Sequence, residues 1–211
     1  MIYLASKSPR RQQILKQLGI AHTPLLLPEQ EDDEPRLTNE SPHDYVRRTA
    51  REKAYRAIDF LLCNQQAENR QKIAILSADT CVSLGQEILG KPESPNHAAQ
   101  ILKRLSKRIH HVETAVSVAI ANDPKNIKGE ESYKGYQLFH TASLSTVTLK
   151  ALSDEEINTY CASNEPMGKA GAYGIQGRAA AFVTHLSGSY TGVMGLPAYE
   201  TMELLKRAGV V

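Results

Sequence analysis

Apolar residues in this chain recur with two different periods. Ile2–Ala5 and Ile73–Ala78 are short, nearly unbroken apolar runs, which predicts buried strands. Val112, Thr114, Val116, Val118 and Ile120 fall at every second position, a strand with one face buried. The stretch 138–150 predicts the return strand of an antiparallel hairpin with 112–120. Elsewhere the spacing is three and four: Ile14, Leu15 and Leu18; Val46 through Leu61; Ala98 through Leu105; and Met202 through Ala208. Three of these helices open on Ser-Pro pairs (Ser8-Pro9, Ser41-Pro42, Ser94-Pro95), with serine suited to the N-cap and proline to the first turn. The fourth follows Pro197, and Ser153 to Glu156 is a capping box for a further short helix. Minor strands are expected at His22–Leu27, Val82–Leu84, Ile88–Leu89 and Ala179–Val183, a turn at Ser187–Tyr190, and a long polar loop over 122–137. Strands alternating with helices predict an α/β fold.

Composition narrows the class. The chain has 211 residues, with 25 Lys and Arg against 23 Asp and Glu, so its formal charge is +2. No general field holds DNA or RNA, and any anion site must be local. No apolar run reaches membrane-spanning length, and the first residues lack the basic head of a signal segment. Cys63, Cys81 and Cys161 are scattered and lack metal-ligand spacing, as expected of reduced thiols in a cytoplasmic protein. A single domain over 1–211 is expected.

The candidate chemistry lies at the ends of the predicted elements. Glu165 to Gly177, EPMGKAGAYGIQG, carries glycine at every third position from 168 to 177, with Lys169, Tyr173 and Gln176 between them. Glycine lets another molecule approach the backbone, and a cation, a ring and an amide suit a phosphate, a base and a base edge. A glycine-rich bend between packed elements is the other reading. Ser8, Arg10 and Arg11 sit where a strand feeds a helix N-terminus, whose free N–H groups favour an anion. Two cations oppose the dipole there, a cost that a phosphate would offset. Lys53 lies on the apolar stripe of its helix, either snorkelling or entering a cleft. Asp79 closes the 73–78 run; aspartate is depleted inside strands, so the strand is expected to end there and place the carboxylate where α/β sheets bind ligands. An Asx-turn is the alternative for Asp79. Lys91 follows the next strand, and the acidic run 29–34 is either a solvated loop or a source of ligands for a hard divalent cation.

These stretches resemble the Maf-like nucleoside triphosphate pyrophosphatases. The matching pieces are LASKSPRR (4–11), AREKA (50–54), ADT (78–80), LGKP (89–92), HVETAVS (111–117), the glycine loop and GSYTGVMGLP (188–197), in the family's order. The resemblance implies an α/β fold with an elongated mixed sheet flanked by helices, as in the ITPase-like folds, and two lobes around a central cleft. It implies metal-assisted cleavage between the α- and β-phosphates of a nucleoside triphosphate, with Mg²⁺ or Mn²⁺. KAGAYGIQG is similar to the branch acting on dTTP and UTP. Asp79 matches the proton acceptor; Arg10, Thr80 and Gln176 match positions tied to base choice; Lys53 and Lys91 match lysines of the phosphate site. Ser8, Arg11 and Lys169 join them as substrate-binding candidates. Asp79 and Glu34 are the expected metal-associated residues, with Glu31 the other alignment of the acidic run. The implied partners are a small nucleotide and a second copy of the chain, with neither nucleic acid nor membrane. Lys107 stands where the family has glycine, Gly168 where aspartate is common, and Thr146 where an acidic residue is common. Two other functions fit the same residues: a nucleotide-binding regulator of septum formation without turnover, and a pyrophosphatase for purine or 7-methyl-GTP substrates.

Overall fold

The computed structural model describes residues 1–28, 35–64, 73–121 and 127–211. Its strands are β1 Ile2–Leu4, β2 His22–Pro24, β3 Ala74–Leu84, β4 Glu87–Ile88, β5 Ile109–Ala121, β6 Glu131–Tyr133, β7 Tyr136–Leu149 and β8 Val183–Ser187. Its helices are α1 Pro9–Gln17, α2 Pro42–Cys63, α3 Pro95–Leu105, α4 Asp154–Ala162, α5 Tyr190–Met194 and α6 Ala198–Arg207. All strands join one mixed sheet in the order β2-β1-β3-β5-β7-β6, with β4 on β3 and β8 on β7. β1 runs parallel to β2 and β3, and the remaining pairs are antiparallel.

The three long strands β3, β5 and β7 form a continuous ladder, and its outer edge makes the site. β1 leaves β3 at the Leu4–Leu76 pair, and β4 joins the same edge only at Ser83. Residues 77–82 of β3 therefore have no strand neighbour on that edge among the described residues, while β5 pairs with them on the other. Successive side chains in this gap point to opposite faces of the sheet. Ala78 and Val82 join the larger core cluster, under α1, α3, α4 and α6. Cys81 packs with Val46 and Ala50 of α2 on the other face, where the Ser77 hydroxyl donates to Ala50 O at 2.8 Å.

Serine side chains cap three of the expected helix starts, whereas Ser8, expected to cap α1, makes no side-chain cap bond there and leaves Pro9 to set the first turn. Ser41, Ser94 and Ser153 accept from the backbone N–H of Asp44, His97 and Glu156, each followed by helix; Glu156 returns the bond to complete the capping box. Four further expectations need correction. β3 does not end at Asp79 but runs on to Leu84, because β5 keeps the ladder unbroken through the Asp79–Ala115 pair. β2 stops at Pro24, since β1 offers only three residues to pair with and proline has no N–H. Ala179–Val183 is not a strand: Arg178–Phe182 forms a 3-10 turn that buries Ala179 and Phe182, three apart, and β8 follows it. The polar stretch before 137 holds β6, hairpinned onto β7 through Tyr133 and Tyr136. Lys107, in the family's glycine position, adopts φ of 56°, the left-handed conformation that glycine enters without cost.

His110 on β5 is completely buried, its Nε2 joined to the Tyr173 hydroxyl at 2.8 Å. Burial, with the neighbouring His111 adding to it, lowers its pKa from 6.5 to about 4. The unfolded chain thus takes up a proton near pH 6.5 that the folded chain refuses until about 4. This contribution to stability is complete above pH 6.5 and is lost as pH falls, by about 2 kcal/mol at pH 5. Urea unfolding at pH 7.5 and 5.0 should show that loss in the parent and a smaller one in His110→Gln; equal losses would contradict it.

Candidate active site

Asp79 sits in the stretch of β3 that pairs with β5 alone, with its side chain toward α2. Thr49 Oγ1 donates to its Oδ2 at 2.7 Å, and Lys53 Nζ donates to its Oδ1 at 2.7 Å. Thr49 and Lys53 stand four residues apart on one face of α2, so the helix delivers both donors together. Burial works against the charged carboxylate. Lys53 and Arg11, with the hydrogen bonds from Lys53 and Thr49, outweigh burial and hold Asp79 below the ordinary carboxylate range. The Lys53 side chain is 18% exposed, so the pair forms the wall of a cleft rather than a sealed core contact.

Arg10 and Arg11, in the first turn of α1, meet the far end of α5. Arg10 Nε donates to Met194 O at 3.2 Å and Arg11 Nε to Gly195 O at 2.7 Å. Carbonyls at a helix C-terminus thus offset the repulsion from the N-terminus of α1. Arg11 also donates to Ser6 Oγ at 3.1 Å and to Thr80 Oγ1 at 3.2 Å. The Thr114 hydroxyl gives its proton to Gly192 O at 2.7 Å and lies 2.9 Å from Thr80 Oγ1. With that proton committed, Thr80 is the donor to Thr114, and it meets any ligand as an acceptor only.

The glycine loop supplies the opposite wall. Gly171 has φ of 70°, and its N–H donates to Leu89 O at 2.9 Å. A Cβ there would come within 2.8 Å of Val82 Cγ1, so only glycine lets the loop lie against β3. Lys169 folds its ammonium back onto Glu165 O. Burial and then the charge of Arg10 hold its pKa below the usual lysine value. Like charges drawn together at a desolvated wall mark a place for an anion.

A cleft of about 440 Å³ unites these walls. Ser8, Arg10, Arg11, Lys53, Asp79, Thr80, Lys91, Lys169 and Gln176 all line it. Lys91 and Gln176 are exposed at its margin, and no hydrogen bond or ion pair engages either side chain among the described residues. Tyr173, the ring of the glycine loop, lines the cleft too; so do Lys7, Arg56 and Ser6, which with Thr49 were not among the site candidates read from the sequence. Helical spacing signals two of them, since Thr49 and Arg56 lie four before and three after Lys53. Among the described lining residues seven side chains are cationic, and Asp79 is the one carboxylate. Glu34 and Glu31 lie outside the described residues. No group of three or more His, Cys, Asp or Glu gathers around a common point among the described residues.

The profile of Maf-like proteins matches residues 1–208. The chain belongs to the Maf-like family. It is 45% identical over 210 residues to a dTTP/UTP pyrophosphatase of Bordetella avium, covering 99% of this chain and 96% of that one. A nucleoside triphosphate pyrophosphatase of Haemophilus ducreyi is 46% identical over 212 residues, at 99% and 95% coverage. A dTTP/UTP pyrophosphatase of Albidiferax ferrireducens is 43% identical over 212 residues, at 99% and 96%. In this Maf-like chain all seven of the quoted stretches contribute residues to the cleft, and no helix among the described residues is long and apolar enough to cross a membrane.

Proposed function

We propose that this Maf-like chain is a hydrolase that cleaves dTTP and UTP between the α- and β-phosphates, giving the monophosphate and pyrophosphate. The observation that carries this is the cleft itself, where, among the described lining residues, one ionised carboxylate is set amid seven cationic side chains. A triphosphate concentrates negative charge and develops more at the bridging oxygen as it cleaves, which fixed cations stabilise. Arg10, held through Nε, suits a bidentate grip on phosphate oxygens by its terminal nitrogens, while Arg11, Lys53, Lys91 and Lys169 act as charges. Asp79 is ionised at neutral pH, and each oxygen keeps acceptor capacity beyond its one bond to the protein. It orients the attacking water and takes its proton. Asp79, the one carboxylate among the described lining residues, would hold Mg²⁺ or Mn²⁺ together with the substrate, a donor set that suits Mg²⁺. Such an ion, when bound, polarises phosphate oxygens and lowers the pKa of water. At the other margin Gln176 offers both a donor and an acceptor to the carbonyl and imide edge of thymine or uracil.

The near-neutral charge and the exposed thiol of Cys63 accord with a free nucleotide as substrate in the reducing cytoplasm. A panel of nucleoside triphosphates at one concentration, assayed for pyrophosphate with Mg²⁺, tests the proposal. dTTP and UTP should lead, and chelation should abolish release. Binding without product would favour the regulator, and leading turnover of a purine or methylated triphosphate would move the substrate.

A further inference from the structure

The loop that carries Gln176 is closed by side chains that never reach the cleft. Glu165 stands at its start and Gly177 at its end. The Glu165 carboxylate accepts the Arg178 N–H on Oε2 at 3.2 Å and the Tyr160 hydroxyl on Oε1 at 3.0 Å. Tyr160, buried on α4 and packed edge-on against Phe182, also accepts the Gly174 N–H at 3.2 Å. Gly177 leaves room for the carboxylate: a Cβ there would lie 2.1 Å from Glu165 Oε1. The backbone is thus pinned at Gly174 and at Arg178, two residues to either side of Gln176. The Glu165 carbonyl meanwhile receives the Lys169 ammonium.

We infer that Glu165 is a positioning residue: with Tyr160 it latches the two ends of the 165–177 loop and so fixes where Gln176 meets the base. Gln176 has no side-chain partner of its own among the described residues, so its carboxamide is placed by the backbone that bears it. Glu165→Ala removes the acceptor of both the Arg178 N–H and the Tyr160 hydroxyl. Tyr160→Phe removes the bonds to Glu165 and Gly174 together. Gly177→Ala expels the carboxylate sterically.

The choice of nucleotides for the test rests on the hydrolase proposal. Each variant should lower the preference for dTTP over GTP in kcat/KM about tenfold, the size of one hydrogen bond to a charged group. The loss should appear in KM for dTTP, with kcat within about twofold, because Asp79 and its cations are untouched. The double variant Tyr160→Phe/Glu165→Ala should be no worse than the more impaired single one, since both break one latch. Shifts in thermal stability with an unchanged dTTP/GTP ratio, or independent additive losses, would overturn the latch. If the parent releases no pyrophosphate from any nucleotide, the hydrolase proposal fails by itself. Equilibrium affinities for α,β-methylene dTTP and GTP then decide the latch by the same ratio, and a parent that binds the two equally would overturn it.

Discussion

Asp79→Asn is expected to fold like its parent and to release pyrophosphate about 10²–10⁴-fold more slowly. The fold survives because asparagine has the same shape and can satisfy the same neighbours. Its amide oxygen still accepts from Lys53. Its amide N–H turns the Thr49 contact around, since the Thr49 hydroxyl can give its proton to Val46 O, 3.2 Å away. What disappears is the charge. A neutral amide takes no proton from water and attracts no divalent ion. Far-ultraviolet circular dichroism and thermal melting establish the fold, and a pyrophosphate assay establishes the loss. Parental turnover in a folded Asp79→Asn would remove Asp79 from the chemistry.

Lys53→Met should reduce activity at pH 7 about a hundredfold and, unlike the parent, leave a remainder that rises with pH. In the parent, Asp79 lies below its unfolded pKa; its contribution to stability is present above the ordinary carboxylate range and is lost as pH falls through the lower folded value. Removing the ammonium leaves burial, the strongest influence on this carboxyl, opposed only by Arg11 and Thr49. The pKa then moves up, and the acid limb of the activity profile moves up with it. A profile with the parent's limb at uniformly reduced height would show that Lys53 only binds phosphate and does not keep Asp79 ionised.

The parts of the fold that were legible in the sequence are those with a local cause. Ser-Pro pairs mark helix starts because a preset proline φ and, at Ser41 and Ser94, a serine oxygen act within one turn. Period-two alternation marks β5 as a strand, but the structure buries residues 112–121 on both faces, with α2 over one and the larger core over the other. The misplaced end of β3 has a non-local cause. Aspartate is disfavoured in strands on average, but β5 holds this strand straight, and Thr49 and Lys53, some thirty residues earlier, satisfy the carboxylate. The turn at 178–182 shows the limits of a short apolar run: strand and helical turn bury different subsets, and the packing of Ala179 and Phe182 decides. Within the cleft, residues carried on recognisable motifs were legible. The supporting roles of Thr114 and Tyr160, which stand behind the cleft, were not, since nothing local to a buried hydroxyl reveals which distant backbone group it serves. The acceptor-only state of Thr80 follows from such a partner, Gly192, reached across 78 residues from Thr114.

Mixing the protein with dTTP and Mg²⁺ and following phosphorus-31 resonances tests the central claim most directly. Cleavage by water between the α- and β-phosphates predicts dTMP and pyrophosphate appearing in equal amounts, with no dTDP at any time. Appearance of dTDP with inorganic phosphate, or an unchanged triphosphate spectrum, would contradict it.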